Sequence, residues 1–447
     1  MMKYIYISVL IIFTLIILSC SDDVVNEVIV PNPGPDIQSP PASGFESTNA
    51  VQWMSLTYDI VAFETIPAPV CSRLYGYSGI AIYESVYRGI EGAHSLSGQL
   101  KEMPEMPSPE NKKYDWLSVM AATLKIIVSG ILYEPTQHSL DLVNDLYTNQ
   151  IEVRKDSVGE DIVNRSVSFG EQIGNAIIEW SNSDNFLSTR NLLYEPPSRS
   201  INPAYWEPTL PGQHALEPFL RFQRPFCLTS ANMCAIPLGF PFDTIPGTSF
   251  YNEGMEVLEK VANLTTDEMN IAFFWEDKSG TGQPPGHWVS ITNIIVNQFS
   301  LKLDEAAKVY ALVGSAIRDA FISCWEAKYR VNLLRPKTYI RDYLGEPGWN
   351  PIVVTPPFPE YTSGHSVVSG AVSHILTWRF GDNVAFTDST HGNQPGLRNR
   401  DFTSFYSAAD EAAWSRLYGG IHYRSAILNG IQQGRLVGQQ VLNTINF

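Results

Sequence analysis

The sequence predicts an all-α protein built from helical bundles. Apolar residues recur at helical spacing through most of the chain, whereas convincing alternating strand patterns are few. Hydrophobic residues make up 44% of the 447 residues and charged residues 17%, which excludes a disordered chain and is ample for a buried core. Because an amphipathic helix must bury its apolar stripe against another element, helices packed on helices are the expected architecture.

The predicted helices follow one another along the chain. A first amphipathic face runs from Trp53 to Phe63 and a second from Leu117 to Ile131. Residues 71–88 mix small residues with Leu, Tyr and Ile, a composition that lets helices approach closely. Further helices are predicted over residues 157–182, 252–276, 286–300 and 303–335.

Two irregular zones interrupt the helices. Residues 185–250 are rich in Pro, Gly and aromatic residues, and residues 336–362 contain a cluster of prolines. Long loops of this kind usually carry function or are disordered, and the aromatic content here favours order.

The N-terminus predicts export. Lys3 is followed by an apolar run from Tyr4 to Leu18, which is short for a transmembrane helix and typical of a signal peptide over residues 1–19. The Leu-Ser-Cys sequence ending at Cys20 resembles the lipobox of bacterial lipoproteins, and this resemblance implies lipidation of Cys20 and an outer-membrane lipoprotein at the cell surface or in the periplasm. An ordinary signal peptide with an incidental Cys is the alternative.

The segment after Cys20 is predicted to be a flexible tether. Five prolines lie within residues 20–47, and little there could build a core. A single large domain is therefore expected over residues 48–447, attached to the membrane only through the lipid anchor.

The charge balance restricts the partners. With 30 Lys and Arg against 46 Asp and Glu, the chain has a formal net charge of -16, which argues against nucleic acid and anionic lipid as partners. A site for a small anion must therefore concentrate positive charge locally. The oligomeric state stays open.

Cysteine spacing leaves one question open. Cys227 and Cys234 are the only close pair outside the signal region, and a disulfide and two free thiols are equally compatible with the sequence. The sequence contains neither a CxxC pair nor an HExxH helix, so a structural zinc site and a zinc protease are not expected.

Three separate segments carry candidate anion-binding residues. Lys328 and Arg335 are seven residues apart, so a helix through both directs them to one side, where two buried cations need an anion. Taken alone, they could equally be surface residues that extend their charges into water. Ser363 is a predicted N-cap, with Gly364 and His365 opening the following helix.

The third segment contains Arg416 and His422, which are six residues apart across a Gly-Gly pair that permits a turn. The order and spacing of the three segments, Lys-x6-Arg-Pro, Ser-Gly-His and Ser-Arg-x5-His, resemble the signature of vanadium-dependent haloperoxidases and type 2 phosphatidic acid phosphatases. Residues 273–277 and 284–288 resemble the haloperoxidase branch, and the closest likeness is to secreted bacterial enzymes that oxidise iodide.

This resemblance implies a fold of two four-helix-bundle-like halves, an oxyanion site within residues 325–426 and a vanadate cofactor. It implies that His422 binds vanadium, that His365 is the acid-base residue and that Lys328 polarises hydrogen peroxide for attack by a halide. The implied vanadate-binding residues are Lys328, Arg335, Ser363, Gly364, His365, Arg416 and His422.

Neighbouring residues favour a haloperoxidase over a phosphatase. Trp325 and Phe358 resemble aromatic residues beside the haloperoxidase cofactor, and Asp277 resembles an acid that pairs with the site arginine. The alternative is a soluble acid phosphatase in which His422 forms a phosphohistidine and His365 protonates the leaving alcohol. One position departs from both families: many members carry Asp four residues after the last His, where this chain has Ala426.

Overall fold

The computed structural model describes residues 39–392, 394 and 396–447. Within these residues the chain forms 14 α-helices and one two-stranded sheet, which confirms the predicted all-α class. In this part of the chain no helix combines the length and apolarity needed to cross a bilayer. The predicted signal peptide 1–19, Cys20 and residues 20–38 of the predicted tether lie outside the described residues.

The first half of the molecule is a bundle in which α3 packs against α2, α4 and α5, with α1 alongside. The predicted helix from residue 157 is divided, because Gly159 adopts a positive φ of 92° and separates α4 from α5. The five helices are α1 (Thr48–Phe63), α2 (Ala68–Val86), α3 (Trp116–Ile131), α4 (Gln137–Val158) and α5 (Glu160–Asn182).

The middle of the chain is less regular. Residues 185–250 are ordered and mostly non-helical, and the predicted helix 252–276 is two helices that are separated at Asn263. Its four helices are α6 (Phe186–Arg190), α7 (Ser249–Ala262), α8 (Thr266–Phe274) and α9 (Gln283–Gln298).

In the second half, helices α10, α13 and α14 pack around α12. Strands β1 and β2 form a small antiparallel hairpin in which Phe386 pairs with Phe402. The elements are α10 (Leu303–Val331), α11 (Pro336–Tyr343), α12 (Gly364–Phe380), β1 (Phe386–Asp388), β2 (Arg400–Phe402), α13 (Phe405–Tyr418) and α14 (Arg424–Thr444).

Helices α2 and α10 join the two halves through glycines. A Cβ added to Gly79 would lie 2.2 Å from the carbonyl oxygen of Tyr310, and one added to Gly314 would lie 3.0 Å from that of Tyr75. The predicted close approach of residues 71–88 to another helix is therefore confirmed. One continuous hydrophobic core extends from Ala42 to Ile445.

The predicted helix through Lys328 and Arg335 is wrong at its C-terminal end. Asn332 adopts a left-handed conformation with φ of 52° and ends α10 at Val331. Arg335 is the N-cap of α11, and Pro336 occupies the first turn of that helix, where a missing N–H costs nothing. Arg335 therefore reaches the site from a different element and not from two turns further along one helix.

The predicted boundary of the tether is also wrong. Ser39 and Ala42 are buried, and the backbone oxygen of Pro40 accepts a hydrogen bond of 2.9 Å from Trp116. The carbonyl of Phe45 accepts from the amide of Leu303 at 3.0 Å. Residues 39–47 thus pack against the domain, because their apolar and backbone groups find partners on it.

Cys227 and Cys234 are free thiols, so the disulfide that the sequence left open is absent from the structure. Both thiols are buried, and the Cys227 side chain contacts Ser315 and Thr444. The backbone amide of Cys227 is held at 2.7 Å by the Asp319 carboxylate, which fixes this side chain against α10 and α14.

Candidate active site

A turn after α13 brings Arg416 close to His422. Gly420 has a φ of 77°, which favours glycine, and the amide of Ile421 donates to the carbonyl of Arg416 at 3.2 Å. The predicted Gly-Gly turn therefore exists. Arg416 in the last turn of α13 and His422 just before α14 lie beside the same cavity.

Two neighbours fix the tautomer of His422. Nη1 of Arg335 lies 3.2 Å from Nε2 of His422, and because a guanidinium can only donate, Nε2 must carry a lone pair. The proton of the neutral ring is then on Nδ1, which donates to Oε1 of Glu360 at 2.7 Å. The same Oε1 accepts the amide of Tyr423 at 3.0 Å.

Electrostatics keep the His422 ring neutral. Burial, and then the charges of Arg335 and Lys328, hold the pKa of His422 well below its usual value. Burial also raises the pKa of Glu360 to about 8, against the opposing effect of the two cations. His422 therefore presents an unprotonated Nε2, which is the form that a metal ligand requires.

The three predicted cations are all buried, but they are held differently. Nε of Arg335 donates to the carbonyl of Phe358 at 2.9 Å, and its Nη2 is buried without a hydrogen-bond partner among the described residues. Arg416 donates to the Ser415 hydroxyl at 2.8 Å and to the carbonyl of Ala272 at 3.2 Å. Burial lowers the pKa of both guanidinium groups to about 10, so they stay charged at neutral pH.

Lys328 does not line the cavity. Its Nζ donates to the carbonyls of Pro359, Glu360 and Thr362 at 3.1, 3.0 and 2.5 Å, which engages all three ammonium hydrogens. Burial lowers its pKa to about 7. In this structure Lys328 anchors the loop that precedes α12, while its charge lies 4.9 Å from the centre of the Phe358 ring.

The N-terminus of α12 supplies the second predicted segment. Ser363 is the N-cap, as predicted, and its hydroxyl accepts from the amide of Ser366 at 3.3 Å. A Cβ added to Gly364 would meet only the Trp325 ring, at 3.7 Å, so no protein atom demands a glycine there. The space beside Gly364 belongs to the cavity, where a side chain would occupy the room that a ligand needs.

His365 opens α12 beside Arg416. Burial, and then the Arg416 charge, lower the pKa of His365 to about 4. Its Nε2 lies 3.5 Å from Oδ2 of Asp277, too far for a good hydrogen bond, and neither atom has another partner in the part of the chain that the structure describes. His365 is thus an unprotonated base with a carboxylate beside it.

Asp277 does not pair directly with Arg416, which corrects the sequence prediction. Among the described residues its ion-pair partners are histidines: Oδ1 lies 2.7 Å from His287 and 2.9 Å from His391. The second ring nitrogen of His287 lies 2.8 Å from Asp388. Arg416 acts on Asp277 only through its charge.

A cavity of about 430 Å³ connects these groups. Asp277, Gly364, His365, Arg416 and His422 form its polar end. Its remaining wall is largely apolar, and the predicted aromatic residues lie in it, with Trp325 and Phe358 at 5.0 Å between ring centres. The apolar lining includes Phe321, Trp325, Val353, Val354, Pro356, Pro357 and Phe358.

Comparison with solved structures decides the family. The structure of the first bacterial vanadium-dependent iodoperoxidase matches with a TM-score of 0.83 and 34% sequence identity, covering 90% of this chain and 97% of that one. The chain belongs to the vanadium-dependent haloperoxidase family.

Other comparisons agree with this family. Residues 308–447 match the model of the second helical-bundle domain of vanadium chloroperoxidase. The vanadium chloroperoxidase of Curvularia inaequalis is 28% identical over a region that covers 32% of this chain and 33% of the fungal protein, so the match spans about one third of that relative's length. A bacterial vanadium-dependent chloroperoxidase in its apo form shares the fold, with a TM-score of 0.65 at 16% identity.

The residues present fit the vanadate cofactor that this family uses. The guanidinium of Arg335 lies against the lone pair of His422, with its Nη2 unpartnered among the described residues, and the buried guanidinium of Arg416 lines the same cavity. The backbone at Gly364 adds a helix N-terminus without a side chain in the way. A buried cluster of donors around one imidazole nitrogen is suited to a tetrahedral oxyanion, because each oxygen needs donors and the charge needs compensation.

Each residue then has a definite task. His422 would hold vanadium through Nε2, Arg335 and Arg416 would neutralise the oxygens, and Ser363 and Gly364 would donate hydrogen bonds. Bound vanadate supplies a Lewis acid that activates hydrogen peroxide without a change of oxidation state. His365 lines the same cavity and is placed to accept a proton, and Lys328 supplies positive charge from beneath the loop that it anchors.

Sequence reasoning missed four site residues. Glu360 lies directly before Tyr361-Thr362-Ser363, and an acid in a loop beside three predicted cations was the available signal. His287 lies within residues 284–288, whose resemblance to the haloperoxidase branch implies no role for this histidine. No local pattern indicated Asp388 or His391, because they reach His287 and Asp277, respectively, through the tertiary fold.

Proposed function

We propose that this chain is a vanadate-dependent haloperoxidase that uses hydrogen peroxide to oxidise iodide, and also bromide, to hypohalous acid. The observation that carries the proposal is the neutral His422 with its lone pair directed among buried cations. A covalent vanadium ligand needs that tautomer, and the protein enforces it from both sides of the ring.

The unprotonated state of His365 is the form that peroxidase chemistry needs. With a pKa lowered to about 4, His365 is unprotonated at neutral pH and can take a proton from hydrogen peroxide. The wall beside the polar end is largely aromatic and apolar, with Trp325 and Phe358 in the positions that resemble those of haloperoxidases.

Iodide is the proposed principal halide for two reasons. Iodide is easier to oxidise than bromide, and it costs less free energy to strip iodide of water as it enters an apolar cavity. The similarity to a bacterial enzyme described as an iodoperoxidase extends over nearly the whole of that chain.

The test removes metal from the protein, adds back orthovanadate, and measures iodide and bromide oxidation alongside hydrolysis of p-nitrophenyl phosphate. Vanadate-dependent triiodide formation, absent in His422→Ala, is the expected result. Ester hydrolysis without vanadate-dependent halide oxidation would instead establish the phosphatase.

We also propose that the protein is exported as a lipoprotein through Cys20. The support is the sequence alone: an apolar segment that ends in Leu-Ser-Cys, followed by a Pro-rich stretch. Metabolic labelling with a palmitate analogue tests it. Label in the wild-type chain and none in Cys20→Ser is expected, whereas equal labelling of both would exclude lipidation at Cys20.

A further inference from the structure

We infer that Glu360 is the residue that positions His422, and that it takes over the task of the acid that is absent at position 426. This inference rests on the proposed function only for the identity of the bound anion, vanadate. Glu360 holds the Nδ1 proton of His422 in place, which keeps Nε2 free to bind vanadium and raises its basicity as a ligand.

The geometry of Glu360 is specific for this task. Oε1 lies 2.7 Å from Nδ1 of His422 and also accepts the amide of the next residue, Tyr423, at 3.0 Å. One oxygen therefore fixes both the ring and the backbone that carries it. The side chain is completely buried, so no water competes for the contact.

The backbone of Glu360 is held as firmly as its side chain. Its amide donates to the carbonyl of Leu333 at 2.8 Å, and its carbonyl accepts from Nζ of Lys328 at 3.0 Å. These bonds connect the loop to the end of α10. Lys328 thus contributes to the site indirectly, because it holds the backbone of the residue whose carboxyl group positions His422.

Ala426 explains why the acid has to come from this loop. Its methyl side chain is buried and cannot accept a hydrogen bond, and its carbonyl is engaged at 3.1 Å by the amide of Ser363. Position 426 therefore serves the N-terminus of α12 through its backbone. The acceptor for Nδ1 of His422 is instead Glu360, which lies about sixty residues earlier in the sequence.

The test measures vanadate affinity of the metal-free protein by equilibrium dialysis, with neither peroxide nor halide present. Glu360→Gln keeps an oxygen acceptor but removes the ionisable carboxyl group, and we expect the vanadate Kd to rise about 10-fold. Glu360→Met removes the acceptor, and a rise of about 100-fold is expected. Ala426→Asp added to Glu360→Met should recover part of the lost affinity.

Glu253→Gln is the matched control. Glu253 on α7 is also a largely buried acid, and its side chain reaches the start of α14. There its oxygens accept from Ser425 at 2.8 to 3.2 Å and do not touch His422. Its vanadate Kd should stay within about twofold of the wild type. Thermal unfolding of each metal-free variant identifies any that fails to fold, and Glu360→Gln is the conservative variant for that case.

A second readout is independent of vanadate. The ¹⁵N shifts of the His422 ring should show a proton on Nδ1 in the wild type and a mixture of tautomers in Glu360→Met. Unchanged shifts and an unchanged Kd in both Glu360 variants would overturn the inference. A wild-type chain that shows the expected tautomer but oxidises no halide would contradict the proposed function and leave the role of Glu360 standing.

Discussion

At the scale of single residues, Asp277 connects the acid-base group to the rest of the molecule. One oxygen lies 3.5 Å from His365, while the other is held by His287 and His391. Burial acts to raise the pKa of Asp277, but the charge and hydrogen bond of His287 hold it well below its usual value. Asp277 therefore remains a carboxylate, which favours the protonated form of His365.

The pH profile of iodide oxidation should report this carboxylate. Since Asp277 raises the pKa of His365, Asp277→Asn should lower that pKa further. The base form of His365 would then persist to lower pH, and the acid limb of kcat should move to lower pH than in the wild type. Steady-state kinetics over a pH series measures the shift.

Glu276→Gln is the control for that prediction. Glu276 is the adjacent acid and lines the same cavity, but its ion-pair partner is Lys278 at 3.5 Å. Its acid limb should coincide with that of the wild type. A limb that moves to higher pH in Asp277→Asn would contradict the assigned effect of the carboxylate on His365.

Residue identities in the site were predictable where spacing carried them. Ser363, Gly364 and His365 form one local motif, and Arg416 and His422 are joined by a turn whose glycines are visible in the sequence. Glu360 and Asp388 were not predictable in this way, because a contact to a ring some tens of residues away leaves no local pattern.

At the scale of elements, the turn between α13 and α14 sets the distance between Arg416 and His422. Gly420 has a φ of 77°, and a Cβ there would lie 3.0 Å from both Pro351 and Val261. An alanine would have to adopt a disfavoured backbone and displace both neighbours. The geometry of the site thus depends on Gly420, a residue that does not itself line the cavity.

Gly420→Ala should therefore weaken vanadate binding about 10-fold or more while His422 and Arg416 remain present. Gly345→Ala is the matched control, because Gly345 has a φ of 78° and no atom within 4 Å of an added Cβ. Both variants should lose about 1 kcal/mol of stability from the backbone alone. Equal vanadate affinities for the two would show that the turn does not set the site.

A second set of elements is held together by His287 on α9. Its ring donates to Asp277, which precedes α9, and to Asp388 on β1. Burial acts to lower the pKa of His287, but the two carboxylates outweigh it and raise this pKa to about 10. The ring is therefore an imidazolium between two buried carboxylates.

Replacing His287 should cost stability in a pH-dependent way. His287→Leu leaves two buried carboxylates without their cation, an expected loss of about 3 kcal/mol or more. Because the folded pKa is raised above 6.5, this stabilisation is fully present below pH 6.5 and is lost as the pH rises towards 10. Since the pKa values of both carboxylates are lowered, it is also lost below about pH 4.

Urea unfolding midpoints between pH 4 and 10 measure this difference. His374→Leu is the control, since the hydrogen-bond partners of His374 among the described residues are Tyr406 and Gln439, near the surface. Its effect should be small and vary little with pH. A loss for His287→Leu that grows from pH 6.5 to pH 10 would contradict the assigned charge state.

Helix positions were largely predictable and helix ends were not. Apolar periodicity located α1 and α3, because a core-facing stripe repeats over several turns. The end of α10 depends on a single left-handed Asn332, a conformation that asparagine tolerates without requiring it. Because α10 ends there, Arg335 is the N-cap of α11 and not part of α10, yet it still lies beside His422.

At the scale of the whole molecule, the contact between α2 and α10 joins the two halves into one core. Gly76 and Gly79 on α2 face Gly314 on α10, with backbone atoms of the two helices nearly in contact. The composition of residues 71–88 predicted a close approach but could not identify the partner, because small residues fit any helix. Since α10 also carries Lys328, the contact between α2 and α10 supports a helix that holds a residue of the site.

Gly79→Ala should separate these two helices and lower the stability of the whole domain. The added Cβ would lie 2.2 Å from a backbone oxygen of Tyr310, which cannot rotate away. The expected loss is about 1 to 3 kcal/mol, even though alanine favours a helix more than glycine does. Because one core spans both halves, loss of helicity and loss of vanadate-binding capacity should occur at the same urea concentration.

Gly130→Ala is the matched control for that experiment. Gly130 is also helical, on α3, but its added Cβ would meet the end of the Ile178 side chain, which can move aside. Its urea midpoint should equal or exceed that of the wild type. Unfolding of Gly79→Ala at the wild-type midpoint would show that the glycine contact does not join the two halves. Loss of helicity and of vanadate binding in separate transitions would show that the two halves are independent units.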